Sequence, residues 1–175
     1  MIWKRYRFNK VKLQVVFEKS ALNTFKDNIQ NFKQDNERGG LLMGKLYPEE
    51  NLVVVTNAIK IDSVHSAHTE LYINLKEANR IIKKIWKKSK GNITYLGDWH
   101  THPENKPQPS TVDFKTFKST YFESKIDQNI LLFAIVGRNN IEDKGICVGI
   151  QGFFKFTKLL YTDQHSLYTA NKDLL

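Results

Sequence analysis

Histidine, aspartate, glutamate and serine stand in this chain at spacings that could run hydrolysis at a metal ion. In Gly97-Asp98-Trp99-His100-Thr101-His102-Pro103, two histidines lie two apart at a predicted strand end. Side chains at i and i+2 share a face, so both imidazoles can converge on one ion. Alone, the pair reads better as two polar residues at a strand end. Ser110-Thr111-Val112-Asp113 follows a proline-rich loop. Ser-x-x-Asp is also an ordinary helix N-terminal cap. Both readings are compatible, because a cap places Asp113 in the first turn, near the chain that has just left the strand. Glu37 precedes Gly39-Gly40 and alone reads as a solvated acid at a helix end, with Gly39 as the C-terminal cap.

Taken together these residues are more specific. His100, His102 and Asp113 would give Zn²⁺ three protein ligands and leave a fourth position for water, the mark of a catalytic site. Zinc brings the pKa of such a water to about 7. Glu37, as a carboxylate off the metal, could take the proton of the water and pass it to a leaving amine. The Ser110 hydroxyl could donate a hydrogen bond to an oxyanion.

These residues need a scaffold, and the apolar pattern supplies one. Val11 to Phe17 alternates as a strand. Ser20 reads as the N-cap of a helix carrying Leu22, Phe25, Ile29 and Phe32. Leu41–Tyr47 and Leu52–Ile59, joined by a turn at Pro48-Glu49-Glu50-Asn51, read as a hairpin. Ile61 to Tyr72 has no period and reads as a loop. Asn74 to Lys90 is the best helix, with Leu75, Ala78, Ile81, Ile82, Ile85 and Trp86 on one face and Gly91 as its stop. A strand over Asn92–His100, the Pro103–Pro109 loop and a helix from Ser110 to about Ser124 follow. Asn129 to Val136 reads as a doubly buried strand, and Gly145–Gly152 and Phe153–Phe156 as further strands. The expectation is one α/β domain over residues 1–175, a mixed sheet flanked by helices, with a loosely ordered tail from about residue 160.

His100-x-His102-Pro103, six further residues, then Ser110-x-x-Asp113, with Glu37 upstream of a Gly-Gly strand, resembles the JAMM (MPN+) metallopeptidase motif. The resemblance runs from about Glu37 to Gly149. It includes the Tyr95-Leu96-Gly97-Asp98-Trp99 lead-in and the Leu131–Arg138 segment. It implies a cytidine-deaminase-like α/β fold and one catalytic zinc on His100, His102 and Asp113. It further implies Glu37 as general acid/base, Ser110 as oxyanion helper, and cleavage of a peptide or isopeptide bond after the C-terminus of a ubiquitin-like protein. The wording Gly-Asp-Trp-His-Thr-His-Pro-Glu is most similar to compact bacterial stand-alone members of antiphage operons. In the CBASS type, these work beside E1- and E2-like proteins and remove a conjugated nucleotidyltransferase from its target. Maturation of a bacterial ubiquitin-like precursor, and a non-catalytic scaffold, are the alternatives. Deaminases of the same fold need a cysteine pair for zinc, and this chain has one cysteine, Cys147.

Composition fits that reading. At 175 residues and 41% hydrophobic, the chain can build a core without disulfides or a structural metal. Its single cysteine, and the lack of a signal-like or membrane-spanning apolar run, imply a soluble cytoplasmic protein. The net charge of +9 draws on Lys76, Arg80, Lys83, Lys84, Lys87, Lys88 and Lys90, with Lys4, Arg5 and Arg7 near the start. Such a helix face is read first as solvated, and second as contact for an acidic partner. Nucleic acid is disfavoured, because aromatics do not interleave with the lysines. His65 and His68 are candidates for a substrate channel or second metal, against an ordinary loop.

Overall fold

The structure is a computed structural model that describes residues 2–8, 12–32, 34–66, 71–126, 128–138, 145–151, 160–162 and 165–169. Among these, the elements run β1 (Ile2–Phe8), β2 (Leu13–Phe17), α1 (Lys19–Lys26), β3 (Gly39–Tyr47), β4 (Leu52–Lys60), β5 (Ser63–Ser66), β6 (Leu71–Ile73) and α2 (Leu75–Lys88). Then come β7 (Thr94–Thr101), α3 (Thr111–Glu123), β8 (Leu131–Val136), β9 (Ile146–Gln151), β10 (Leu160–Thr162) and β11 (His165–Thr169). One nine-stranded mixed sheet has the order β10-β9-β8-β7-β3-β4-β2-β1-β11, and β5–β6 form a separate hairpin. The pairs β2–β4 and β7–β8 are parallel and the others antiparallel. This is the expected α/β architecture.

The sheet curls. β10 and β11 stand at opposite ends of the strand order, yet two residues join them. Three Cα steps span at most about 11 Å, so the two edges are drawn together. The inner side holds α1: Ala21, Leu22 and Phe25 pack with Tyr6, Phe17, Leu42, Leu96, Trp99 and Leu132 in one cluster. The outer side carries α2 and α3. Leu41, Met43, Tyr95 and Leu131 pack under Ala78 and the isoleucines at 81, 82 and 85. Phe133, Ile135 and Cys147 pack under Phe117 of α3. β8 is buried along its whole length, as its unbroken apolar run predicts.

Several elements differ from the sequence reading. The predicted first helix begins at Lys19, not after a Ser20 cap, and stops at Lys26, leaving Phe32 63% exposed. The Arg38 guanidinium donates to the carbonyls of Asn28 and Ile29, at 3.3 and 2.8 Å, and so takes acceptors that a longer helix would use. Gly39 caps no helix; it opens β3, opposite His100. The segment read as a loop from Ile61 contains the β5–β6 hairpin. The N-terminal residues, for which the sequence pattern offered no element, form β1 between β2 and β11. The stretch read as a tail contains β10 and β11, each paired into the sheet. The expected strand Phe153–Phe156, His68 and the side chain of His65 lie outside the described residues.

Candidate metal centre

β7 and α3 build the centre, and an irregularity in β7 aims it. Leu42 of β3 pairs with Gly97 and Met43 with Tyr95, so Leu96 is an extra residue, a β-bulge. Strict alternation from Leu96 would put Asp98 and His100 on the inner side, with α1. The bulge reverses the parity. Trp99 points inward to Phe25, at 5.2 Å between ring centroids, and His100 points outward to Phe117 of α3, at 5.8 Å. Gly97 permits this: its φ is +144°, and a Cβ there would lie 1.9 Å from the carbonyl oxygen of Leu132.

The chain continues beside β8 past the strand end, where the His102 N–H donates to Val136 O at 2.8 Å. Asp113 arrives from α3. The Asp113 N–H donates to Ser110 Oγ at 3.1 Å, and the Ser110 N–H donates to Asp113 Oδ2 at 2.6 Å. This reciprocal capping box fixes the helix start and the carboxylate together.

The three side chains converge. His100 Nε2 lies 3.1 Å from His102 Nε2 and 3.0 Å from Asp113 Oδ1, and His102 Nε2 lies 3.4 Å from Asp113 Oδ2. Ligand atoms on one tetrahedral zinc lie about 3.3 Å apart, given metal–ligand distances of 2.0–2.1 Å. The donor types and their separations therefore fit a zinc ion. They form a group of histidine and carboxylate donors that could hold a metal.

Electrostatics favour the metal-binding protonation state at His100 and Asp113, while the carboxylates around His102 pull the other way. Burial lowers the pKa of His100 against the pull of Asp113, favouring the neutral imidazole that binds metals. Burial opposes charge on His102 as well, but bonding and charge from Asp113, with Glu37 and Glu104, outweigh it and raise the pKa. Burial would raise the pKa of Asp113 too. Its bonds to both histidines win and hold the carboxyl far below the usual carboxylate range.

Glu37 is buried, with Oε1 at 3.9 Å from His102 Nε2. Backbone stitching brings it there: the Thr101 N–H donates to Arg38 O at 2.8 Å, and the Arg38 N–H donates to Thr101 Oγ1 at 3.0 Å. The structure thus gathers Glu37, His100, His102, Ser110 and Asp113 within one small region, with Ser110 acting as the cap of α3.

Two further carboxylates escaped the sequence reading. Glu104 Oε2 stands 3.4 Å from His102 Nδ1. Asp98 accepts the Tyr95 hydroxyl at 2.9 Å, a contact across the bulge. Burial pushes Asp98 up to about 6 despite that hydrogen bond. The available signal for both was an acid two residues from a candidate ligand.

Fold and site together define a prokaryotic JAB-type domain. The family of prokaryotic homologs of the JAB domain matches residues 30–145, and the chain belongs to it. A CD-NTase/cGAS isopeptidase of Pseudomonas aeruginosa is 34% identical over 128 residues, covering 70% of this chain and 77% of that protein. Another CD-NTase/cGAS isopeptidase, from Escherichia coli, is 28% identical over 120 residues, covering 69% and 72%. The solution structure of a Desulfitobacterium hafniense protein shares the fold, with a TM-score of 0.58 and 17% identity, over 83% of this chain and 88% of that one. These relatives support peptidase chemistry for the chain. Among the described residues, no helix is long and apolar enough to cross a membrane.

Proposed function

We propose that this chain is a zinc-dependent isopeptidase. It cleaves the bond after the C-terminus of a ubiquitin-like or ubiquitin-like-conjugated protein. In CBASS-type antiphage defence, it removes a nucleotidyltransferase from targets to which E1- and E2-like proteins have joined it. The convergence of His100, His102 and Asp113 beside buried Glu37 carries the reading, and the names of the relatives support the substrate class.

His100, His102 and Asp113 would hold the ion. Zinc in such a site supplies a Lewis acid and makes hydroxide available near neutral pH. The residues supply the rest. Glu37 takes a proton from the attacking water as its oxygen bonds to the scissile carbonyl carbon. Glu37 then gives a proton to the departing amine as the C–N bond breaks, leaving a free carboxylate and a free amine. Ser110 Oγ accepts from the Asp113 N–H, so its own hydrogen stays uncommitted by that bond and can be donated to the developing oxyanion.

The test joins metal analysis to turnover. Purified protein should contain about one zinc per chain, and should release a CD-NTase from a lysine-linked conjugate in a chelator-sensitive way. Protein that takes up no zinc, or loaded protein that leaves such conjugates intact, overturns the reading.

A further inference from the structure

We propose that Glu104 is the positioning residue of His102, holding the imidazole so that Nε2 faces the metal; this rests on the zinc reading above. His102 presents its two ring nitrogens to opposite surroundings. Nε2 faces His100 Nε2 and the Asp113 carboxylate, at 3.1 and 3.4 Å. Nδ1 faces Glu104 Oε2 at 3.4 Å. A neutral imidazole carries one N–H, and only the bare nitrogen can bind a metal. A carboxylate at Nδ1 accepts the hydrogen there and leaves the Nε2 lone pair for the ion.

The backbone fixes the position from which Glu104 reaches His102. The segment from His102 to Glu104 is pinned at both ends to the end of β8. The His102 N–H donates to Val136 O, and the Arg138 N–H donates to Glu104 O, each at 2.8 Å. The turn of chain above β8 also demands a glycine: a Cβ on Gly137 would lie 2.5 Å from Glu104 O and 2.6 Å from Pro107 Cδ. The Glu104 side chain itself is 56% exposed, so its removal leaves no hole in the core. Asp113 and Glu37 face Nε2, so among the described residues Glu104 is the carboxylate at Nδ1.

Two measurements on the full chain decide it. In metal-free protein at mildly alkaline pH, long-range ¹⁵N–¹H spectra read the tautomer of His102 whether or not zinc binds. Asp113 at Nε2 competes for the same hydrogen in metal-free protein, so the wild type should hold a measurable Nδ1–H population that falls in favour of Nε2–H in Glu104→Ala. Zinc affinity, by competition with a chelating dye, should fall about 10- to 100-fold in Glu104→Ala. It should be largely restored in Glu104→Gln, whose amide oxygen can accept the same hydrogen. An unchanged tautomer in Glu104→Ala, or zinc affinity equal to wild type, overturns the inference. Failure of the zinc reading is distinguishable, because the wild type itself would then bind no zinc.

Discussion

α2 and α3 pack on the same outer side of the sheet, yet they do different work. α2 is a packing helix. Ala78 and the isoleucines at 81, 82 and 85 line the sheet, and its lysines face away. α3 packs less of its length: it buries Phe117, stacked on Phe133 at 4.0 Å between ring centroids, and rests Tyr121 half-buried on the cluster under α2. Its importance lies in the first turn, where the capping box sets Asp113. Both begin with a side-chain cap: Asn74 accepts from Glu77 N in α2, and Ser110 from Asp113 N in α3. In α2 the cap finishes a helix that packing already holds. In α3 the cap also orients a ligand. A helix built for packing shows its purpose along its length, and one built to place a single group shows it at an end.

The largest expected effect comes from the ligand on α3. Asp113→Ala should abolish stoichiometric zinc binding and lower turnover at least about 1,000-fold, read by metal analysis and conjugate cleavage. Retained zinc would show that α3 supplies no ligand, and would break the comparison. Glu37 separates metal binding from chemistry. Glu37→Gln should keep zinc but lower kcat about 100- to 10,000-fold, the usual worth of a general acid/base. Equal turnover with bound zinc would remove Glu37 from the mechanism.

The bulge that turns His100 toward α3 gives the third test. Gly97→Ala puts a Cβ against Leu132 O at a φ that disfavours alanine. It should destabilise the fold by about 3 kcal/mol in chemical denaturation and weaken zinc binding as well. A neutral substitution would mean that the bulge is not what aims His100. The smallest effect sharpens the contrast most. Asn74→Ala and Ser110→Ala each remove a cap and should each cost about 1 kcal/mol in thermal or denaturant unfolding. Of the two, Ser110→Ala alone should weaken zinc affinity, because it alone loosens the turn that carries Asp113, leaving the carboxylate held by the Ser110 N–H. Equal zinc affinities in the two variants would reduce the Ser110 cap to helix stability.

Much of this was legible locally. The apolar stripe of α2, the unbroken run of β8 and the Ser-x-x-Asp start of α3 are short-range patterns, and the structure repeats them, except that Leu75 and Trp86 of the stripe stay exposed. The apolar spacing predicts a longer first helix than forms, because Arg38, ten residues beyond Asn28, takes the carbonyls that would extend it. β1 lies between β2 and β11, and much of its pairing is with residues more than 150 positions away. No local period announces such a strand.

The sequence by itself determined the donor set: two histidines two apart, a carboxylate in a helix cap, and a glutamate upstream. Residue types and near-neighbour spacings are written in the chain, and capping acts over three residues. Tertiary structure alone decided where those donors point. One extra residue in β7 turns His100 toward α3, and that extra residue is defined only by pairing with β3. Glu37 reaches His102 through two hydrogen bonds between Arg38 and Thr101, one backbone to backbone and one to the Thr101 hydroxyl, sixty-three residues apart in the chain. The parity of a strand and the approach of a distant loop depend on partners, and partners exist only once the sheet has formed.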